Sequence, residues 1–187
     1  STQTIWCNAR ILTKINFFML LCSNLGSHKI GKLLIILVNL EKSGVTIMEC
    51  RVSWLGNGGM AFSAETGSGH LVNMDGAPEA GGRNLAPRPM ELLLAGAGGC
   101  SAFDVVLILQ RARQAISGCE VTLQAERASE DPKVFTKINL HFTVRGKDLD
   151  QAKVDRAVKL SHEKYCSATT MLAKTAELTY SVEVIAE

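Results

Sequence analysis

From about residue 48 onward the sequence predicts an α+β domain, an antiparallel sheet carrying two main helices. Short alternating stretches punctuated by glycine recur, and each has the length of a strand. One apolar run opening at Pro89 is far too long for a strand and reads as a helix. The order of the pieces, βββ-α-ββ-αα-β, groups strands with strands and leaves helices to cover one face of the sheet.

The elements follow in order. "ECRVSWL", "MAFSAET" and "HLVNMD" alternate, and "GNGG" and "GSG" supply turns between them, so they form a meander. Residues 76–87, rich in Gly, Ala and Pro, form a loop. Pro89 suits a first helical turn and Glu91 complements the helix dipole. That helix is expected to reach about Ile116 and to stop at Gly118. "CEVTLQAERA" and "VFTKINLHFTVR" are two strands joined by "SEDPK". The second places Phe135, Lys137, Asn139 and His141 on one side, and Ile138, Leu140, Phe142 and Val144 on the other. Asp148 and Gln151 read as a capping box for the next helix. That helix breaks near Tyr165 and restarts through Ala176, and "LTYSVEVI" is the last strand.

The chain of 187 residues is 47% hydrophobic and 20% charged, enough to bury one good core. A net charge of +2 and few aromatics argue against a nucleic-acid partner, which demands clustered Lys and Arg. Six irregularly spaced cysteines without a CxxC do not make a disulfide scaffold or a zinc ribbon, so reduced thiols and a cytoplasmic location are expected. The first 47 residues differ from the rest. Arg10, Lys14, Lys29, Lys32 and Lys42 stand there against Glu41 alone, whereas acids outnumber bases afterwards. Two apolar bursts, 17–22 and 33–38, fall well short of the roughly 20 residues that span a bilayer, so no membrane span is expected. Leu20 and Leu21 before Cys22 are too large for a signal cleavage site. The division is therefore 1–47, an N-terminal extension of uncertain origin, and 48–187, the domain.

The chemistry concentrates in "PRPMELLLAGAGGCSAFD". Three glycines, Gly96, Gly98 and Gly99, weaken a helix by about 3 kcal/mol together, so some close approach must offset them. Cys100 shares its helical face with Leu93, Gly96, Ala97, Phe103 and Leu107. An ordinary free cysteine is a small buried hydrophobe. Here a second one, Cys166, falls at an expected helix start in "EKYCS", where a positive partial charge favours thiolate. Two thiols on separate helices suit a peroxidatic and resolving pair: one forms a sulfenic acid, the other condenses with it. Asp104, one turn past Cys100, is a candidate to tune it, although an Asp in a long helix more often partners a residue such as Arg111 or faces solvent.

These motifs resemble the OsmC/Ohr family of osmotically inducible and organic hydroperoxide resistance proteins, and are similar to its YhfA-like branch. The resemblance covers 48–187. It implies an intertwined homodimer with sites at the interface. It also implies reduction of organic hydroperoxides by Cys100 and Cys166, with an external thiol as reductant. The family's glutamate after the proline aligns with Met90, the acid here falling at Glu91. No arginine matches the family's N-terminal one, and Arg51 and Arg88 are candidates by position only.

Two alternatives stand beside the peroxidase. His162 and Cys166, four apart, permit a zinc site or a Cys–His nucleophile, but no further ligand is conspicuous, so no metal or cofactor is expected. A non-enzymatic homodimer would use the same apolar cleft and cysteines to bind a small hydrophobic ligand or to sense redox state.

Overall fold

Strands and helices appear where the sequence places them, and their connections decide how they pair. The structure, a computed structural model, describes residues 47–56 and 58–187. Both apolar bursts of the first segment lie outside the described residues. Strands β1 (Cys50–Trp54), β2 (Phe62–Thr66) and β3 (Leu71–Met74) form an antiparallel meander. The loop after β3 is organised by Asp75. Its buried carboxylate accepts the amides of Gly76, Arg83 and Leu85. These bonds, the Leu85 amide foremost, hold its pKa below the usual carboxylate value against the opposing effect of burial.

Helix α1 (Pro89–Arg111) follows, then β4 (Ala115–Arg127), β5 (Phe135–Lys147), α2 (Gln151–Leu160), α3 (Ser167–Leu172) and β6 (Glu177–Ala186). The first helix ends earlier than its apolar run. Arg113 takes a left-handed φ of 57° and turns the chain, so Ile116 and Gly118 belong to β4. Gly118 marks a register shift within that strand rather than a helix stop. Asp148 likewise turns the chain with φ 50°, and the cap of α2 is Asp150, which accepts from the amides of Ala152 and Lys153.

The α+β class holds, with the strands divided between two sheets. The second has the order β4-β5-β6, and its β5–β6 pair is parallel. A helical connection lies between those two strands. Such a crossover permits parallel pairing where a hairpin cannot. Alternation along β5 also shifts once. A bulge at Glu126/Arg127 sets Arg127 opposite Phe135 and turns that ring into the core beside Ile138, Leu140, Phe142 and Val144.

The core is built from Val105 and Leu109 of α1, the inner face of β5, and Val154, Ala157 and Val158 of α2. None of its members comes from β1–β3. Helix α1 is apolar enough by composition to cross a membrane, but it buries one face, Ala97, Gly98, Ser101, Val105 and Leu109, against its own chain.

Candidate active site

Cys100 and Ser101 lie in mid-α1, with Asp104 one turn further on. The second half of the site comes from the break between α2 and α3. There a wide turn, Ser161–Tyr165, loosens the helix, and Cys166 leaves it in an extended conformation, ψ 99°. The break is held from both sides. The Cys166 amide donates to the Ser161 carbonyl, and the hydroxyls of Thr169 and Thr170 donate to the Cys166 carbonyl at 3.2 and 2.9 Å. Cys166 therefore caps α3, its sulfur accepting from the Thr169 amide at 3.5 Å.

This break faces the small-residue stretch of α1. The sulfurs of Cys100 and Cys166 and a carboxylate oxygen of Asp104 all lie within 4.8 Å of one another. Ser101 donates its hydroxyl to the Cys166 sulfur at 3.2 Å, and Ser161 donates to Asp104 at 3.2 Å. A disulfide requires the sulfurs to close from this separation to about 2.05 Å.

The two thiols are in different surroundings. Cys166 is fully buried (0% exposed), Cys100 half-buried. Burial pushes the Cys100 thiol up, an effect that the Ala168 amide only partly opposes and the neighbouring Cys166 reinforces. Burial also works against a Cys166 thiolate. The Ser101 hydroxyl, the donors of Thr169 and the Cys100 thiol together outweigh it and bring Cys166 below the ordinary thiol value. Negative charge therefore rests first on the buried sulfur, with Cys100 holding the proton.

Of the residues singled out in the sequence, Cys100, Cys166 and Asp104 come together. Arg51 lies on β1 in an ion pair with Glu65 at 2.9 Å. Arg88 precedes α1, roughly 18 Å along the axis from Cys100 at 1.5 Å per residue. Glu91 accepts from the Arg88 amide at 2.9 Å and so serves the helix start. A cleft of about 400 Å³ opens there, lined by Arg88, Glu91 and Phe135, and includes neither thiol. His162 is half-buried and packs on the Tyr180 ring at 4.9 Å. Cys119 is half-buried against the core, its thiol pushed up by burial, as a packing residue should be. Ser101, Ser161 and Thr169 went unread in the sequence. Their one available signal is position, Ser101 beside one cysteine and Thr169 three residues beyond the other.

The open side of α1 fronts the site. Leu93 is 52% and Phe103 68% exposed, and added Cβ atoms at Gly96 and Gly99 would meet nothing among the described residues within 4 Å. At Gly98 an added Cβ would stand 2.6 Å from a Leu123 methyl, so that glycine serves the packing of α1 on β4.

A strand-bounded α+β domain with paired thiols between its long helix and a following helical break defines a class. The chain belongs to the OsmC-like protein family, whose sequence profile matches residues 81–181. It is 52% identical over 139 residues to the protein YhfA of Escherichia coli K12, covering 74% of this chain and 99% of YhfA. Its fold is similar to that of an OsmC-like protein from Mycoplasma pneumoniae (TM-score 0.64, 13% identity, 75% of this chain and 98% of that one). It is also similar to that of an organic hydroperoxide resistance protein from Legionella pneumophila (TM-score 0.56, 18% identity, 75% and 99%).

Proposed function

We propose that this protein is a thiol-dependent peroxidase that reduces hydroperoxides, organic ones foremost, through Cys100 and Cys166. The observation that carries the proposal is the pair of sulfurs within 4.8 Å, one reachable from solvent and the other buried among hydrogen-bond donors. Hydroperoxide resistance in the name of a protein sharing the fold is in keeping with it.

Ionisation of the pair leaves one proton between the two sulfurs, and its passage from Cys100 to Cys166 makes Cys100 the nucleophile. The Cys100 thiolate attacks the terminal oxygen of the hydroperoxide and the O–O bond breaks. The departing alkoxide takes the proton from Cys166 and leaves as the alcohol, while Cys100 becomes a sulfenic acid. The regenerated Cys166 thiolate attacks the Cys100 sulfur, and hydroxide leaves and is protonated to water. Two thiols are thus oxidised to a disulfide as one hydroperoxide is reduced to alcohol and water. An external thiol, abundant in a reducing cytoplasm, restores the pair by exchange. Leu93 and Phe103 beside Cys100 favour an apolar hydroperoxide over hydrogen peroxide, and a second copy covering the open face of α1 would enclose the site in a homodimer.

A short pulse of cumene hydroperoxide followed by intact-mass measurement tests this. Wild type should lose two hydrogens. Cys166→Ser should gain one oxygen and then a second, and Cys100→Ser should stay unchanged. Oxidation of Cys166 at the native rate in Cys100→Ser, or thiols no faster than free cysteine, would defeat the proposal. The raised pKa of Cys100 favours a second reading, a homodimer that binds a small hydrophobic ligand or senses redox state through a slow disulfide. Thiols that oxidise slowly but reversibly would support that reading.

A further inference from the structure

The grouping of Cys100, Cys166 and Asp104 fits a chemistry besides oxidation. We infer that the reduced site also binds a thiophilic divalent cation, zinc foremost, through the two sulfurs and the Asp104 carboxylate.

Three ligand atoms lie mutually within 4.8 Å. Around tetrahedral zinc, bonds of about 2.3 Å to sulfur and about 2.0–2.2 Å to oxygen put ligand atoms roughly 3.5–3.8 Å apart. The observed spacing therefore needs at most about 1.3 Å of closure between any two of the three ligand atoms. The donor set selects the metal: two thiolates with one carboxylate suit zinc or cadmium and disfavour magnesium or calcium, which take oxygen ligands.

The surroundings are those of a metal-thiolate site. Ser101 and the Thr169 amide donate to the Cys166 sulfur, and Ser161 orients Asp104 by donating to one of its two oxygens. Cys100 and Asp104 are both half-buried, so solvent reaching them could supply a fourth ligand. His162, engaged with Tyr180, takes no part. Metal binding and disulfide formation use the same sulfurs, so they exclude each other, and zinc would hold the pair reduced and idle.

The test is titration of cadmium into the reduced full chain, followed by thiolate-to-metal charge-transfer absorbance with zinc as competitor. One ion per chain is expected. Cys100→Ser and Cys166→Ser should each lose the band, Cys50→Ser and Cys119→Ser should keep it, and Asp104→Asn should bind at least about tenfold more weakly. Native affinity in Asp104→Asn, or a band that survives loss of either site cysteine, overturns the inference. A measurement on the unmodified protein guards against a variant that fails to fold. Saturating zinc should block maleimide alkylation of Cys100 while leaving the exposed Cys50 reactive, and an unchanged Cys100 rate would equally overturn it. No peroxide enters these experiments. A chain that binds the metal yet is inert to hydroperoxide would sink the peroxidase reading alone.

Discussion

The two sides of α1 are built for different work. One carries Ala97, Gly98, Ser101, Val105 and Leu109, all buried, and presses onto β4 and the helical break. The other carries Leu93, Gly96, Gly99 and Phe103, apolar or bare, and among the described residues nothing covers it. Cys100 sits between them, half-buried. One helix thus finishes a core on one side and begins an unfinished surface on the other, with the reactive thiol at the boundary. Apolar surface left open in this way is characteristic of a face that a partner covers.

The contrast is broken most severely on the inner side. Leu109→Ala removes a fully buried side chain and should lower unfolding stability by about 2–5 kcal/mol, measured in denaturant. Phe103→Ala on the outer side should leave single-chain stability within about 0.5 kcal/mol and instead weaken self-association in sedimentation. If the two cost the same, the sides are not distinct.

Ser101→Ala comes next, with an expected loss of about 0.5–1.5 kcal/mol for the hydrogen bond to the Cys166 sulfur. Its signature is in the pH dependence. The folded pKa of Cys166 lies below its unfolded value. Its ionised form therefore adds stability that is complete above the ordinary thiol pKa and is lost as pH falls through the lowered one. Removing the Ser101 hydroxyl should move the thiolate absorbance transition upward and narrow that window. An unmoved transition would mean that Thr169 and Cys100 carry the effect without it.

These serines also mark the limit of what could be read from sequence. The glycine run announced a close approach and singled out Cys100, and the "EKYCS" break singled out Cys166. Nothing local could show that Ser101 meets Cys166, a pair 65 residues apart in the chain. Helix ends were misplaced for a related reason. Arg113 and Asp148 adopt left-handed turns that neither residue type demands, because packing of the following strand and helix fixes where the chain must bend.

A smaller effect separates the glycines. Gly98→Ala should destabilise by about 1 kcal/mol or more, because the Leu123 methyl must give way. Gly99→Ala should raise single-chain helix stability by up to about 1 kcal/mol, as alanine does in an open helix position. In a homodimer that uses this face, the same change should weaken association. Equal losses from both, with association unchanged, would place Gly99 against its own chain. The least effect is expected from starting the chain at Met48. Thermal stability should hold, and a fall of several degrees would show that residues 1–47 support the domain.

By itself the sequence determined the alternating strands, the long small-residue helix and the two cysteines worth watching, because periodicity and glycine content act over a few residues. It did not determine that β5 and β6 run parallel, since alternation is the same for either direction and only the helical crossover decides. Nor could it say which thiol holds the charge. Cys166 is the more acidic because Ser101 and Thr169 converge on its sulfur in a buried pocket, an arrangement that exists only once α1 and the break have packed together.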